Sequence, residues 1–378
     1  MTRSLIFVAA VAVLACACKQ QENAPPPKPT APTVQEAEAF AKDFAKKMAP
    51  CDTASVDRAF LPEVMVARAV SGRSISRTQV SQLERELDGK IGTMLCTNMK
   101  ADSYTYLRTQ MVDGTPRPLF RVLGDAGVNY HELELDKRGG EIKIADLYIY
   151  MTGERLSDTF ANLIDTLMAS PDMMGSSLTM TRIRQLMASG DYASARQELQ
   201  SLPSKLRQSK PMMLMDVQLT SELDNEAEYG KAIDAYAKAF PNDPSLDLVQ
   251  VDGTLMKKKY AETLAILDRL DKRLGGDPYL DVLRAGALSE SGKLEDAVTA
   301  AQKATTREPT LEPAWWQLLT TQSAAKHYGD ALKTLETLRD KFGAKTDAAS
   351  LRADERFIKL AASKEYAAWI KGAPAPRP

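Results

Sequence analysis

The chain has 378 residues, of which 44% are hydrophobic, and 49 Lys plus Arg against 50 Asp plus Glu give a formal net charge of −1. That length and apolar content suit two domains with real cores and exclude a wholly disordered chain. Balanced charge offers no general attraction to phosphate backbones or anionic surfaces, so no nucleic-acid partner is expected.

The N-terminus reads as a targeting segment. Arg3 precedes an apolar run from Leu5 to Ala15 that ends at Cys16. About eleven apolar residues are too few to span a bilayer as a permanent helix. An ordinary secretory peptide needs small residues before its cut but has no need of a cysteine there. Val13-Leu14-Ala15-Cys16 resembles instead a bacterial lipobox. The resemblance implies a signal peptide over 1–15 and a Cys16 thiol that receives a diacylglycerol and becomes the new N-terminus. Each acyl chain would contribute about 0.8 kcal/mol per buried methylene to membrane binding. The implied location is the cell envelope, facing the periplasm, with the outer membrane preferred to the inner. Cys18 competes as the acylated residue; Cys16 is preferred because the residues upstream of it are uniformly apolar. Residues 16–32 then form a lipidated cysteine and a proline-rich tether (Pro25, Pro26, Pro27, Pro29, Pro32), able to reach roughly 40 Å in polyproline geometry.

Beyond the signal stand Cys51 and Cys96. In an exported chain a disulfide between them is the first expectation, closing a loop of about 46 residues and contributing on the order of 4 kcal/mol. Two separate buried thiols are the alternative.

The segment 33–170 reads as an α+β module. Thr33 and Glu36 form a capping box ahead of a helix with Val34, Ala37, Phe40, Phe44 and Met48 at helical spacing. Ser76 or Thr78 opens a second helix. Residues 103–109, 117–124, 128–136 and 141–150 then alternate, separated by Asp113-Gly114, Asp125-Ala126-Gly127 and Arg138-Gly139-Gly140, which predicts a four-stranded antiparallel meander. Ser157 looks like the cap of a further helix. In element order, with Arg117 to Leu123 leading to Asn129-Tyr130-His131-Glu132-Leu133, this module resembles the cystatin-like cone of the SnoaL and nuclear-transport-factor-like families. The resemblance implies a sheet whose concave side could hold a ligand.

From about 176 the pattern is helical and repeats. Gly190-Asp191-Tyr192-Ala193-Ser194-Ala195, Glu228-Tyr229-Gly230-Lys231-Ala232, Lys259-Tyr260-Ala261-Glu262-Thr263, Gly292-Lys293-Leu294-Glu295-Asp296-Ala297 and His327-Tyr328-Gly329-Asp330-Ala331 share one phrase. Spacing and phrase resemble the tetratricopeptide repeat, in which a large residue opens the second helix and a small one three later lets neighbours approach. The structural anchors are therefore Tyr192, Ala195, Tyr229, Ala232, Tyr260, Leu294, Ala297, Tyr328 and Ala331. Thr263 departs from the pattern, as do Asp281 and Arg284, which fall where apolar residues are expected. The array is expected over 176–370, with Leu351 to Ile370 as a terminal cap. Residues 371–378 form a disordered tail.

Chemistry is sparse. Only His131 and His327 occur, in different regions, and no zinc, phosphate-loop or nucleophile-elbow spacing is present, so no cofactor and no metal are expected. The enzymatic candidates are Tyr104, Tyr106, Tyr130, His131, Glu132, Asp146, Tyr148 and Tyr150 on the meander; no catalytic role is assigned to them. Met168, Met173, Met174, Met180 and Met187, then Met212, Met213 and Met215, read as core gap-fillers or an adaptable binding surface rather than a soft-metal box. The expected function is that of a membrane-anchored periplasmic scaffold, not an enzyme, binding a protein or peptide partner through the concave surface of its repeats. A small-molecule receptor or carrier using a pocket in the α+β module is the alternative.

Overall fold

The computed structural model describes residues 30–99, 101–124, 127–168, 173–223 and 225–372. The lipobox with Cys16 and Cys18, most of the tether and the tail lie outside them. Two compact units meet in sequence at Leu246 and Asp247. Among the described residues no helix is long and apolar enough to cross a membrane.

The first unit opens with α1 (Val34–Met48), whose Thr33/Glu36 capping box forms as expected and whose buried Ala37, Ala41, Phe44 and Met48 recur at helical spacing. After α2 (Thr53–Asp57), α3 (Pro62–Val70) starts at a proline, where a missing N–H costs nothing. Ser76, not Thr78, caps α4 (Arg77–Leu87) and forms a capping box with Gln79. In α5 (Ile91–Met99), Gly92 lets the helix touch α2, because a Cβ there would collide with the Thr53 carbonyl. The Cys51–Cys96 disulfide, with Cα atoms 5.9 Å apart, ties the turn after α1 to α5.

The sheet has five antiparallel strands in sequence order, not four: β1 (Ala101–Val112), β2 (Thr115–Gly124), β3 (Gly127–Arg138), β4 (Glu141–Ile149) and β5 (Glu154–Arg155). The extra strand is two residues long, too short to show alternation in sequence. Pro116 and Pro118 pair with β1 only, and the β2–β3 ladder begins at Leu119↔Glu132, since proline has no N–H to give a second neighbour. Ser157 is not the cap of the helix that follows. It lies within α6 (Leu156–Met168), buried, because its hydroxyl is spent on Asp146.

The helical part is a repeat-like array. In the first unit α7 (Met173–Ala188) pairs with α8 (Tyr192–Ser201), and after the short α9 (Ser204–Arg207), α10 (Lys210–Ser221) pairs with α11 (Glu226–Ala239). Next, α12 (Leu246–Met256) lies against α13 (Tyr260–Leu274), then α14 (Pro278–Glu290) pairs with α15 (Leu294–Arg307), and α16 (Glu312–Ala324) with α17 (Tyr328–Phe342). The second helix of each hairpin opens at 192, 226, 260, 294 and 328, steps of 34 throughout. The second hairpin is thus opened by Glu226, not by Tyr229, which stands three residues inside α11, and Ala232 is correspondingly displaced from the small-residue position. Asn225 caps this helix through its side chain, as Asp191 caps α8. Small residues three after the opening, Ala195, Thr263, Ala297 and Ala331, are all fully buried. Helices α18 (Ala348–Arg352), α19 (Ile358–Ala361) and α20 (Lys364–Gly372), with a 3₁₀ turn at Glu355–Phe357, close the second unit. Their Leu351, Phe357, Leu360 and Tyr366 pack with Leu319, Leu335 and Leu338 of the last hairpin.

Candidate functional site

Strand alternation divides the meander candidates between two faces. On one, Tyr104, Phe120, Val122, Leu133, Leu135, Ile144 and Leu147 meet Phe44, Phe60 and Met65 from the helices in a single core. Phe44 lies at its centre, with the rings of Phe60, Tyr104 and Phe120 at 6.2, 5.9 and 6.1 Å. Side chains fill this interior.

His131 sits on that face, 2% exposed. Asn129 Oδ1 accepts the backbone N–H groups of Tyr130 (2.8 Å) and Met151 (2.9 Å), so its amide nitrogen is the group turned to His131 Nε2 at 3.4 Å. Nε2 therefore accepts, and Nδ1 carries the proton and donates to the Tyr104 hydroxyl at 3.3 Å. Burial pushes the imidazole pKa down to about 3 and the Tyr104 phenol well up. Both ring nitrogens are engaged and the ring is neutral at ordinary pH.

Glu132 and Asp146 lie on the opposite face, in a network sequence reasoning missed. Arg68 of α3 reaches Glu134 at 2.6 Å and Asp146 at 3.0 Å. Arg117 lies 3.6 Å from Glu132 and 3.4 Å from Glu134, Arg155 bonds Glu134 at 3.3 Å, and Gln110 donates to Glu132 at 2.7 Å. Asp146, fully buried, also accepts the Ser157 hydroxyl and the Leu147 N–H. Burial raises the Glu134 pKa, but the Arg68 hydrogen bond and the charges of Arg68, Arg117 and Arg155 outweigh it and hold the carboxyl below its usual range. Arg121 is 1% exposed on the same face. The sequence carries the signal in its spacing: Arg117 and Arg121, four apart in β2, and Glu132 and Glu134, two apart in β3, each alternate onto one strand face. Tyr148 lies opposite Glu132, and Tyr150 stacks edge-on with Tyr130 at 6.0 Å and Tyr148 at 5.2 Å. Tyr106 packs against the helix-side core with its hydroxyl on Thr109.

In the hairpins the departures from the repeat pattern prove to be paired. Thr263 donates to Thr254 at 2.8 Å, both buried. Asp281, 1% exposed, accepts from Arg284 (2.7 Å), Lys303 (3.0 Å) and Arg307 (2.9 Å), and Arg284 also reaches Asp268 at 2.7 Å. The arrangement recurs. Thirteen residues before each opening stand Asp247, Asp281 and Trp315, and they meet Arg269, Lys303 with Arg307, and Lys341 respectively, the last as a cation over the Trp315 ring at 5.4 Å. Met180 and Met212 are buried in the first unit's hairpin core, with Met187 and Met215 packed against it. His327 lies 3.2 Å from Glu295. Among the described residues no cluster of three or more His, Cys, Asp or Glu could hold a metal. Compared with family models, curated proteins and solved structures, the chain matches none.

Proposed function

We propose that the chain is a tetratricopeptide-type lipoprotein of the bacterial envelope, acylated at Cys16, that faces the periplasm on the outer membrane and binds a protein or peptide partner on the surface of its helical hairpins. The observation that carries this reading is the 34-residue step at which the second helices open, with a buried small residue three later in four of the five hairpins. Stacked hairpins of this kind present extended surfaces suited to peptide recognition. The Cys51–Cys96 disulfide suits an oxidising compartment such as the periplasm. The side-chain-filled sheet interior and the neutral, doubly bonded His131 weigh against a small-molecule pocket or acid–base catalysis in the α+β module.

The test is affinity capture from crosslinked membranes with the intact chain and with a version ending at Leu246, where the first compact unit ends. Partners lost on truncation are the expected result. Capture of the same proteins by both forms, or of none by either, contradicts a scaffold role for the second unit's hairpins.

A further inference from the structure

The ion pairs of the second unit share an arrangement beyond what pairing requires. Nine and thirteen residues after each helix opening stand Arg269 and Arg273 on α13, Lys303 and Arg307 on α15, and Thr337 and Lys341 on α17. Five of these six positions are cationic. In the first unit the same positions hold Ser201, Lys205, Ala235 and Ala239, so the pattern belongs to the second unit alone.

The cations are accessible. Arg269 is 56% exposed, Lys303 54% and Arg307 34%, and Arg273 and Lys341 are also on the surface. Hairpin α12–α13 sets Arg269 on Asp247, one cation to one carboxylate, with the guanidinium still more than half exposed. Hairpin α14–α15 sets Arg284, Lys303 and Arg307 on the single carboxylate of Asp281, and only Arg284 has a further acid, Asp268. A lysine has three N–H donors and an arginine five, whereas the two oxygens of Asp281 already accept three bonds. Lys303 and Arg307 are thus held in place by a buried anion while retaining charge and donors toward solvent.

We propose that the basic ledge of Arg269, Arg273, Lys303, Arg307 and Lys341 docks an acidic segment of a partner polypeptide, whose side-chain carboxylates lie along successive hairpins. Charge complementarity favours this occupant: an ordered row of cations, on a chain whose formal net charge is only −1, repeats with the array and matches carboxylates repeated along an extended peptide. The inference rests on the scaffold reading and adds the chemistry of the partner.

The experiment uses the full chain and a fluorescein-labelled hexaglutamate peptide, with hexalysine and a single-stranded oligonucleotide as comparisons, followed by anisotropy. Hexaglutamate is expected to bind, more weakly as salt rises, and Lys303→Gln with Arg307→Gln is expected to weaken it about tenfold, or about 1.4 kcal/mol. The charge-matched pair Lys293→Gln with Lys326→Gln is expected to leave it unchanged. Asp281 keeps Arg284 in the first variant, and an unchanged thermal midpoint checks that it folds. Absence of hexaglutamate binding, equal binding by the Lys303/Arg307 variant, or stronger binding of the oligonucleotide overturns the proposal. Membrane capture separates it from the scaffold reading. A partner retained by Lys303→Glu with Arg307→Glu defeats the acidic-segment inference and leaves the scaffold standing; capture of nothing by the unaltered chain defeats the scaffold, and the peptide titration still decides the ledge.

Discussion

At His131, burial and two neutral partners remove the option of charge, and this has a measurable consequence for stability. An unfolded histidine titrates near 6.5, whereas the folded ring titrates at about 3. Between those values the unfolded chain binds the extra proton. The contribution is therefore complete above pH 6.5 and is lost as pH falls from there toward 3, at about 1.4 kcal/mol per pH unit for one proton. Urea unfolding from pH 7 to 4 should show this slope in the native chain and a shallower one in His131→Gln; equal slopes would mean that the ring is protonated in the fold. Sequence alternation identified His131 and left it without a partner, because alternation gives the face of the strand and not that the Asn129 amide, two residues away on the same face, turns to the ring. Arg117 and Arg121 were not foreseen because a strand arginine ordinarily signals a solvent face. Here they lie buried on a sheet with two covered sides.

The turns between paired helices carry their own constraint. Two residues before four of the helix openings stand Gly190, Lys258, Gly292 and Lys326, with φ of 80°, 56°, 82° and 62°. A left-handed lysine costs about 1–2 kcal/mol that glycine does not pay. Lys326→Gly should raise stability by about 1 kcal/mol and Gly292→Ala should lower it by a similar amount, read from denaturant midpoints; a Cβ on Gly292 meets no atom within 4 Å, so the effect isolates backbone strain. The acid–cation pairs differ by burial. Asp281→Ala should cost about 3 kcal/mol because it removes the buried carboxylate that three cations share, whereas Asp247→Ala, with Asp247 25% and Arg269 56% exposed, should cost about 1 kcal/mol or less. The period itself was legible because a large residue followed by a small one marks most hairpins. The second hairpin's register was not, since Tyr229 mimics the anchor while the true opening is Glu226. Helices α2 and α3, five and nine residues long, were too short to show a period.

Within the first unit the sheet is pinned to the hairpins by a polar junction. Lys210 lies 2.7 Å from Asp243 and 3.7 Å from Glu154, and Asp243 holds Ser245, whose hydroxyl meets Tyr236 at 2.6 Å. Gly153, at φ +65°, fits against this loop, and a Cβ there would lie 2.7 Å from both Asp243 Oδ1 and Ser245 N. Gly153→Ala should therefore loosen the junction, seen as faster hydrogen exchange over 240–246 with the meander unchanged. The disulfide acts at the same scale: reduction, or Cys51→Ala with Cys96→Ala, should cost about 3–4 kcal/mol, and an unchanged urea midpoint would mean that the loop is already ordered without it. Partner binding, in the proposed function, falls to the hairpins. The most direct measurement is photo-crosslinking in intact cells, with a photoreactive residue at exposed Thr299 or Lys333 in the second unit and at exposed Lys42 or Met111 in the α+β module. Discrete protein adducts from the hairpin positions and none from the module are predicted; adducts from the module alone, or from neither region, would contradict the account.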